Sequence, residues 1–141
     1  MIKKPISPET HRQLIVAQRG EMTEYNIYIK LAKQTRDPEN KKVLNHIASD
    51  ELKHYRLWEA YTKQEVNPNN WEVNKFYWIS KIFGLTAGLK LMKKGEEKAQ
   101  RNYALIATEL PEALMVAKDE NQHETKLLGL IQQGFDRPRI E

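Results

Sequence analysis

Two stretches, ASDELKH from Ala48 and AKDENQH from Ala117, share the pattern A-x-D-E-x-x-H and lie 69 residues apart. Each sits in an apolar repeat of helical spacing, and each puts a glutamate and a histidine where a buried helix face ordinarily carries leucine. A second matched pair accompanies them: GEMTEYNIYIKLA from Gly20 aligns with GEEKAQRNYALIA from Gly95, an offset of 75. Duplication of a helix pair, with a slightly shorter second copy, accounts for both offsets. Such a chain is constrained to fold as two related halves that face each other.

Local signals place the helices. Ser7-Pro8-Glu9 reads as an N-cap followed by proline in the first turn, opening a helix to about Thr35. Asp37-Pro38-Glu39 repeats the signal and opens a second helix to about Lys63. NPNN at 67–70 breaks the chain, and WEVNKFYWISKIFG predicts a short packed helix between Val66 and Leu85. A third long helix is expected from near Thr86, after Gly84, to about Leu110. A fourth opens at Pro111-Glu112 and closes at Gly134, with Pro138 beyond. Helices one and two are tightly joined, as are three and four, so each pair is an antiparallel hairpin. The link between the pairs, about twenty residues, is long enough to run the length of a bundle. The expected fold class is all-α: a ferritin-like four-helix bundle of two antiparallel hairpins joined by a long crossover, with 1–141 as a single domain.

Read in steps of three and four, each helix yields an inward stripe. The stripes are Leu14, Ala17, Glu21, Glu24, Tyr28, Leu31; Leu44, Ile47, Glu51, His54, Trp58, Tyr61; Leu89, Met92, Glu96, Ala99, Tyr103, Ile106; and Ala113, Val116, Glu120, His123, Leu127, Leu130. Each is apolar at its ends and acidic near its middle. Buried carboxylates without counter-charge are strongly destabilising. Two divalent cations would neutralise Glu21, Glu51, Glu96 and Glu120 in full, and His54 and His123 add neutral ligands. One glutamate from each of two helices plus Glu-x-x-His from each of the other two is the donor pattern of a di-iron or di-manganese carboxylate site. A lone E-x-x-H would read as a surface ion pair; two copies at matched stripe positions point to metal. Glu24 and Glu97 are candidates for an extra, movable ligand. Asp50 and Asp119 either orient a histidine of a neighbouring helix or are solvated. Tyr28 and Tyr103 are core aromatics or partners of the ligands. His11 and His46 lie outside the constellation, and Trp58, Trp71 and Trp78 are expected to pack under the crossover.

Composition excludes several chemistries. No cysteine occurs among the 141 residues, which removes disulfides, thiolate metal sites and thiol catalysis. The +4 net charge comes from scattered lysines and arginines, so nucleic-acid binding is not expected. No run reaches the ~18 apolar residues of a membrane span and no signal peptide opens the chain, so a cytoplasmic protein with no membrane span is expected.

Glu21, Glu51, His54, Glu96, Glu120 and His123 fall on the motif positions of the rubrerythrin branch of the ferritin-like superfamily, which the whole chain resembles. The stretch GLKLMKKGEEKAQRNYALIATELPEALMVAKDENQHETKLL is also similar to the soluble ferritin-like domain preceding vacuolar-iron-transporter-type membrane domains. The resemblance implies a di-iron carboxylate oxidoreductase, holding two iron ions or manganese, that oxidises Fe2+ or reduces O2 or H2O2 in iron homeostasis or oxidative-stress defence. The four glutamates would be its catalytic carboxylates. It implies a homodimer, an external electron donor and, alternatively, a non-catalytic iron-binding or metal-sensing domain acting with a membrane iron transporter. The chain departs from the rubrerythrin pattern twice: it carries no cysteine-rich rubredoxin module, and Ala99 stands where a second third-helix glutamate is usual.

Overall fold

The structure, a computed structural model, describes residues 5–132; at positions 93, 96–98 and 131–132 it describes the helical backbone only. Five helices occupy it: α1 Pro8–Gln34, α2 Pro38–Thr62, α3 Asn70–Phe83, α4 Leu85–Ala107 and α5 Ala113–Gln132, with no strand among the described residues. The caps are those the sequence announces. Ser7 Oγ accepts from the Thr10 N–H at 3.2 Å, and Asp37 Oδ1 accepts from the Glu39 and Asn40 N–H groups at 2.8 and 3.2 Å. α2 ends at Lys63, a left-handed residue (φ 56°) whose N–H bonds the Glu59 carbonyl at 2.8 Å. Gly84 (φ 97°) makes the one-residue corner between α3 and α4, a conformation side-chain-bearing residues rarely adopt. α4 stops at Ala107, short of Leu110, and α5 begins at Ala113 rather than at Pro111; a turn through residues 108–112 takes up the difference. The expected stop at Gly134 and Pro138 lies outside the described residues.

The core runs as two apolar plugs, and these set the helix directions. One contains Ile27 and Leu31 of α1, Leu44 and Ile47 of α2, Leu89 and Met92 of α4, and Leu127 and Leu130 of α5. The other contains Leu14 and Ala17, Trp58 and Tyr61, Tyr103 and Ile106, and Ala113 and Val116 of the same four helices. Chain order between the plugs shows α1 and α5 running one way and α2 and α4 the other. Because α2 and α4 are parallel, the intervening chain has to climb the length of the bundle, which residues 63–84 do with α3. Helix α1 packs along α2, α4 along α5, and α3 lies against α1 and α4.

Polar side chains pin this route. Gln18 donates to the Gln64 carbonyl at 2.8 Å and accepts from Thr62 Oγ1 at 2.7 Å; the Asn69 N–H donates to Thr23 Oγ1 and the Val66 N–H to the Tyr55 hydroxyl, at 2.8 and 2.9 Å. At the other end, Glu109 accepts from the Ser7 N–H, Ser7 Oγ and Thr10 Oγ1 at 2.7, 2.8 and 2.6 Å, tying the start of α1 to the α4–α5 turn. Trp58 packs in the core as expected, but Trp71 and Trp78 do not: they are 71% and 57% exposed on the outer side of α3. The buried residues of that helix are Val73 and Ser80.

Candidate metal centre

Between the two plugs lies a layer of ionisable side chains. Glu21 from α1, Glu51 and His54 from α2, and Glu120 and His123 from α5 are all buried. They come together because the stripe period that buries Leu14 and Leu31 carries Glu21 inward with them, and likewise on α2 and α5. Ligand atoms of Glu21, Glu51, His54 and Glu120 lie within 4.8 Å of one another, a group able to hold a metal ion. His54 Nδ1 stands 3.1 Å from Glu120 Oε1, 3.4 Å from Glu21 Oε2 and 4.0 Å from Glu51 Oε1. His123 Nδ1 stands 2.9 Å from Glu51 Oε1, off a hydrogen-bonding angle, and 3.6 Å from Glu120 Oε2, beyond hydrogen-bonding distance.

Both imidazoles point Nδ1 at the carboxylates and Nε2 outward, where each meets an aspartate of the other hairpin. His54 Nε2 lies 2.9 Å from Asp119 Oδ2, and His123 Nε2 lies 2.9 Å from Asp50 Oδ2. Each aspartate immediately precedes the glutamate of its own repeat, so the arrangement is a reciprocal cross between α2 and α5. Of the two readings open for Asp50 and Asp119, the geometry selects orientation of a histidine. A carboxylate on the outer nitrogen holds the ring and its tautomer, a recurrent support for metal-binding histidines. His46, exposed at the edge, lies 3.5 Å from Asp50.

The electrostatics are those of crowded negative charge. Burial, reinforced by the charges of Glu21, Glu24 and Glu120, pushes the Glu51 carboxyl well above the usual carboxylate range. Burial acts to lower the His54 imidazole, but contacts with Glu120, Glu21 and Asp119 outweigh it and push it up to about 11. His123 is raised in the same way, burial being overcome by Glu120 and Asp50. Asp50 is held down: burial opposes this, and the contact with His123 prevails. The Tyr103 hydroxyl donates to Glu21 Oε1, and burial plus the neighbouring carboxylates raise it far enough to keep its proton.

The donor set fits a cation. Neither oxygen of Glu51 accepts a hydrogen bond, and Glu21 Oε2 and His123 Nδ1 are likewise buried without one. Buried polar atoms are nearly always satisfied, and these converge from opposite hairpins on one small volume. Carboxylate and imidazole donors without thiolate suit iron or manganese.

The helical backbone places position 96 on α4; its side chain, like that of Glu97, lies outside the described residues. Glu24 lies close enough to Glu51 for its charge to act on that carboxyl. With Tyr103 it lines a half-open groove of about 460 Å³ bounded by α1, α3 and α4, which Gly20, Thr23, Phe76 and Met92 also line. None of the five buried donor residues lines the groove; Tyr103, which donates to Glu21, and Glu24 stand between it and the cluster. The reciprocal aspartates are the site feature least sharply marked in the sequence; the signal was their identical place, one residue before each repeat's glutamate. Compared with known proteins, the chain matches no family model, no curated protein and no solved structure.

Proposed function

We propose that this chain is a di-iron carboxylate oxidoreductase with the ferritin-like bundle of the rubrerythrin branch, oxidising Fe2+ and reducing peroxide or O2. The observation that carries the reading is the buried convergence of Glu21, Glu51, His54, Glu120 and His123 from two related hairpins, with unsatisfied donor atoms facing one another. Glu21, Glu51, His54, Glu120 and His123 would hold two metal ions, together with Glu96 on the strength of its match to Glu21 in the repeat. Two irons held there would supply, one electron each, the two electrons needed to cleave one O–O bond. With peroxide as oxidant, two Fe2+ become two Fe3+ while H2O2 and two protons become two waters.

The side chains have separable tasks. Asp50 and Asp119 fix the histidine rings so that Nδ1 faces the cluster. Tyr103 holds one oxygen of Glu21 and leaves the other to a metal. The apolar plugs above and below exclude bulk water, and the groove beside Glu24 admits a small oxidant or Fe2+ itself.

Stopped-flow mixing with Fe2+ and peroxide should give ferric absorbance that rises faster with the wild-type protein than with Glu51→Ala or buffer alone. Equal traces would sink the assignment. Reversible Fe2+ or Mn2+ binding without turnover would instead favour a metal-binding domain that acts with a membrane iron transporter.

A further inference from the structure

Helix α3 is amphipathic the wrong way round for a helix that only covers a core. Its buried residues are Val73 and Ser80, while Trp71, Trp78, Ile82 and Phe83 are 71%, 57%, 66% and 73% exposed. Trp71, Lys75, Trp78 and Ile82 follow one another at helical spacing along a single outer stripe. The Lys75 ammonium stands 5.4 Å from the Trp71 ring, and Lys81 and Lys30 (the latter from α1) stand 5.5 and 5.2 Å from the Tyr77 ring. Lys75 on the stripe and Lys81 beside it thus bring ammonium groups to the aromatic rings of α3. The sole acid of the helix, Glu72, lines the α1–α4 groove instead.

We infer that the outer face of α3 is a docking surface for an anionic lipid bilayer, on which the helix lies in the headgroup region. Indole rings favour the boundary between headgroups and acyl chains, and lysines beside them meet lipid phosphates while their stems lie along apolar surface. Among the described residues no helix is long and apolar enough to cross a membrane, so the attachment is peripheral. Charge selects this occupant over a second copy. Two α3 stripes packed together would bring Lys75 of each copy into one interface with no acid on the stripe to receive it, and like charges across an interface oppose association.

The test uses the full chain with vesicles of phosphatidylcholine alone, or mixed with phosphatidylglycerol in equal parts. Sedimentation should show binding to the mixed vesicles and little to the neutral ones, weakening as salt is raised. Each lysine near an anionic surface contributes roughly fivefold in affinity, so Lys75→Glu with Lys81→Glu should lose about 30-fold or more. Trp71→Ser with Trp78→Ser should abolish binding; both residues are exposed, so the fold is kept, and emission from the fully buried Trp58 reports that it is. Wild-type emission should shift to the blue on adding mixed vesicles, and the tryptophan double variant should not shift. The proposal fails if the protein does not sediment with anionic vesicles, if the tryptophan variant binds them as well as wild type, or if these tryptophans instead support a dimer that excludes lipid.

Discussion

Asp119 Oδ2 lies 2.9 Å from Nε2 of His54, a carboxylate on α5 holding an imidazole on α2, and the pair Asp50 and His123 repeats the contact in the opposite direction at the same distance. Each hairpin thus aims the other's histidine. Glu21, Glu51 and His54 come from the first hairpin and Glu120 and His123 from the second, so neither hairpin alone completes the cluster.

Removing either outer carboxylate should weaken metal binding without removing a ligand. Asp119→Asn and Asp50→Asn are each expected to lower Fe2+ or Mn2+ affinity by about 10–100-fold. Competition titration against a chelator of known affinity measures the loss. Affinity unchanged in both variants would deny the aspartates any part in the centre.

Metal and proton compete for His54. Its imidazole is raised from 6.5 to about 11, so the ion pairs it makes stabilise the metal-free fold fully below pH 6.5, and that contribution is lost as pH rises through about 11. His54→Gln should flatten this alkaline limb in denaturation curves taken across pH. A metal must displace the proton, so binding should release protons into a weakly buffered solution and tighten as pH rises.

In the metal-free protein the two histidines are the counter-charges of the buried carboxylates. His54→Leu with His123→Leu should lower thermal stability in chelator, because it leaves the buried carboxylates Glu21, Glu51 and Glu120 without cationic partners. The same variant should lose metal-linked stabilisation, which for wild type is about 2.7 kcal/mol at a ligand concentration 100 times Kd. Scanning calorimetry with and without Mn2+ separates the two effects.

Helical glycines divide by surroundings. At Gly20 an added methyl meets nothing within 4 Å, so Gly20→Ala should stabilise α1 by about 0.5–1 kcal/mol. Gly88 is where α4 approaches α3, and a Cβ there would stand 2.2 Å from Ser80 Oγ. Gly88→Leu should therefore cost about 1–3 kcal/mol. Urea midpoints of the two variants should move in opposite directions.

On the proposed route through the groove, Gly20→Leu should slow Fe2+ oxidation several-fold while leaving metal affinity near wild type, since the residue lines the groove and is not among the donors. Equal loss of rate and affinity would place the obstruction in the centre itself.

Much of this structure was legible beforehand. All six stripe positions on α2 and all six on α5 are buried, because a period of three and four is a local property that survives whatever the helix later packs against. Ser7, Asp37 and Gly84 marked helix boundaries for equally local reasons: a side-chain oxygen within reach of the first N–H groups, and a backbone angle rarely open to other residues. The acidic layer was readable too, since charge in the middle of an apolar stripe has no comfortable alternative.

Other features depended on the assembled fold. Which aspartate meets which histidine rests on how the hairpins rotate against each other, a contact between residues 65 and 73 positions apart. Trp71 and Trp78 were expected inside and stand outside, because α3 has apolar residues on more than one face and hydrophobic burial has no direction of its own. The room left between α1 and α4 put Val73 and Ser80 inward and turned the tryptophans to solvent. Residue order wrote the helices and the composition of their inner faces, while close packing at long range chose the partners.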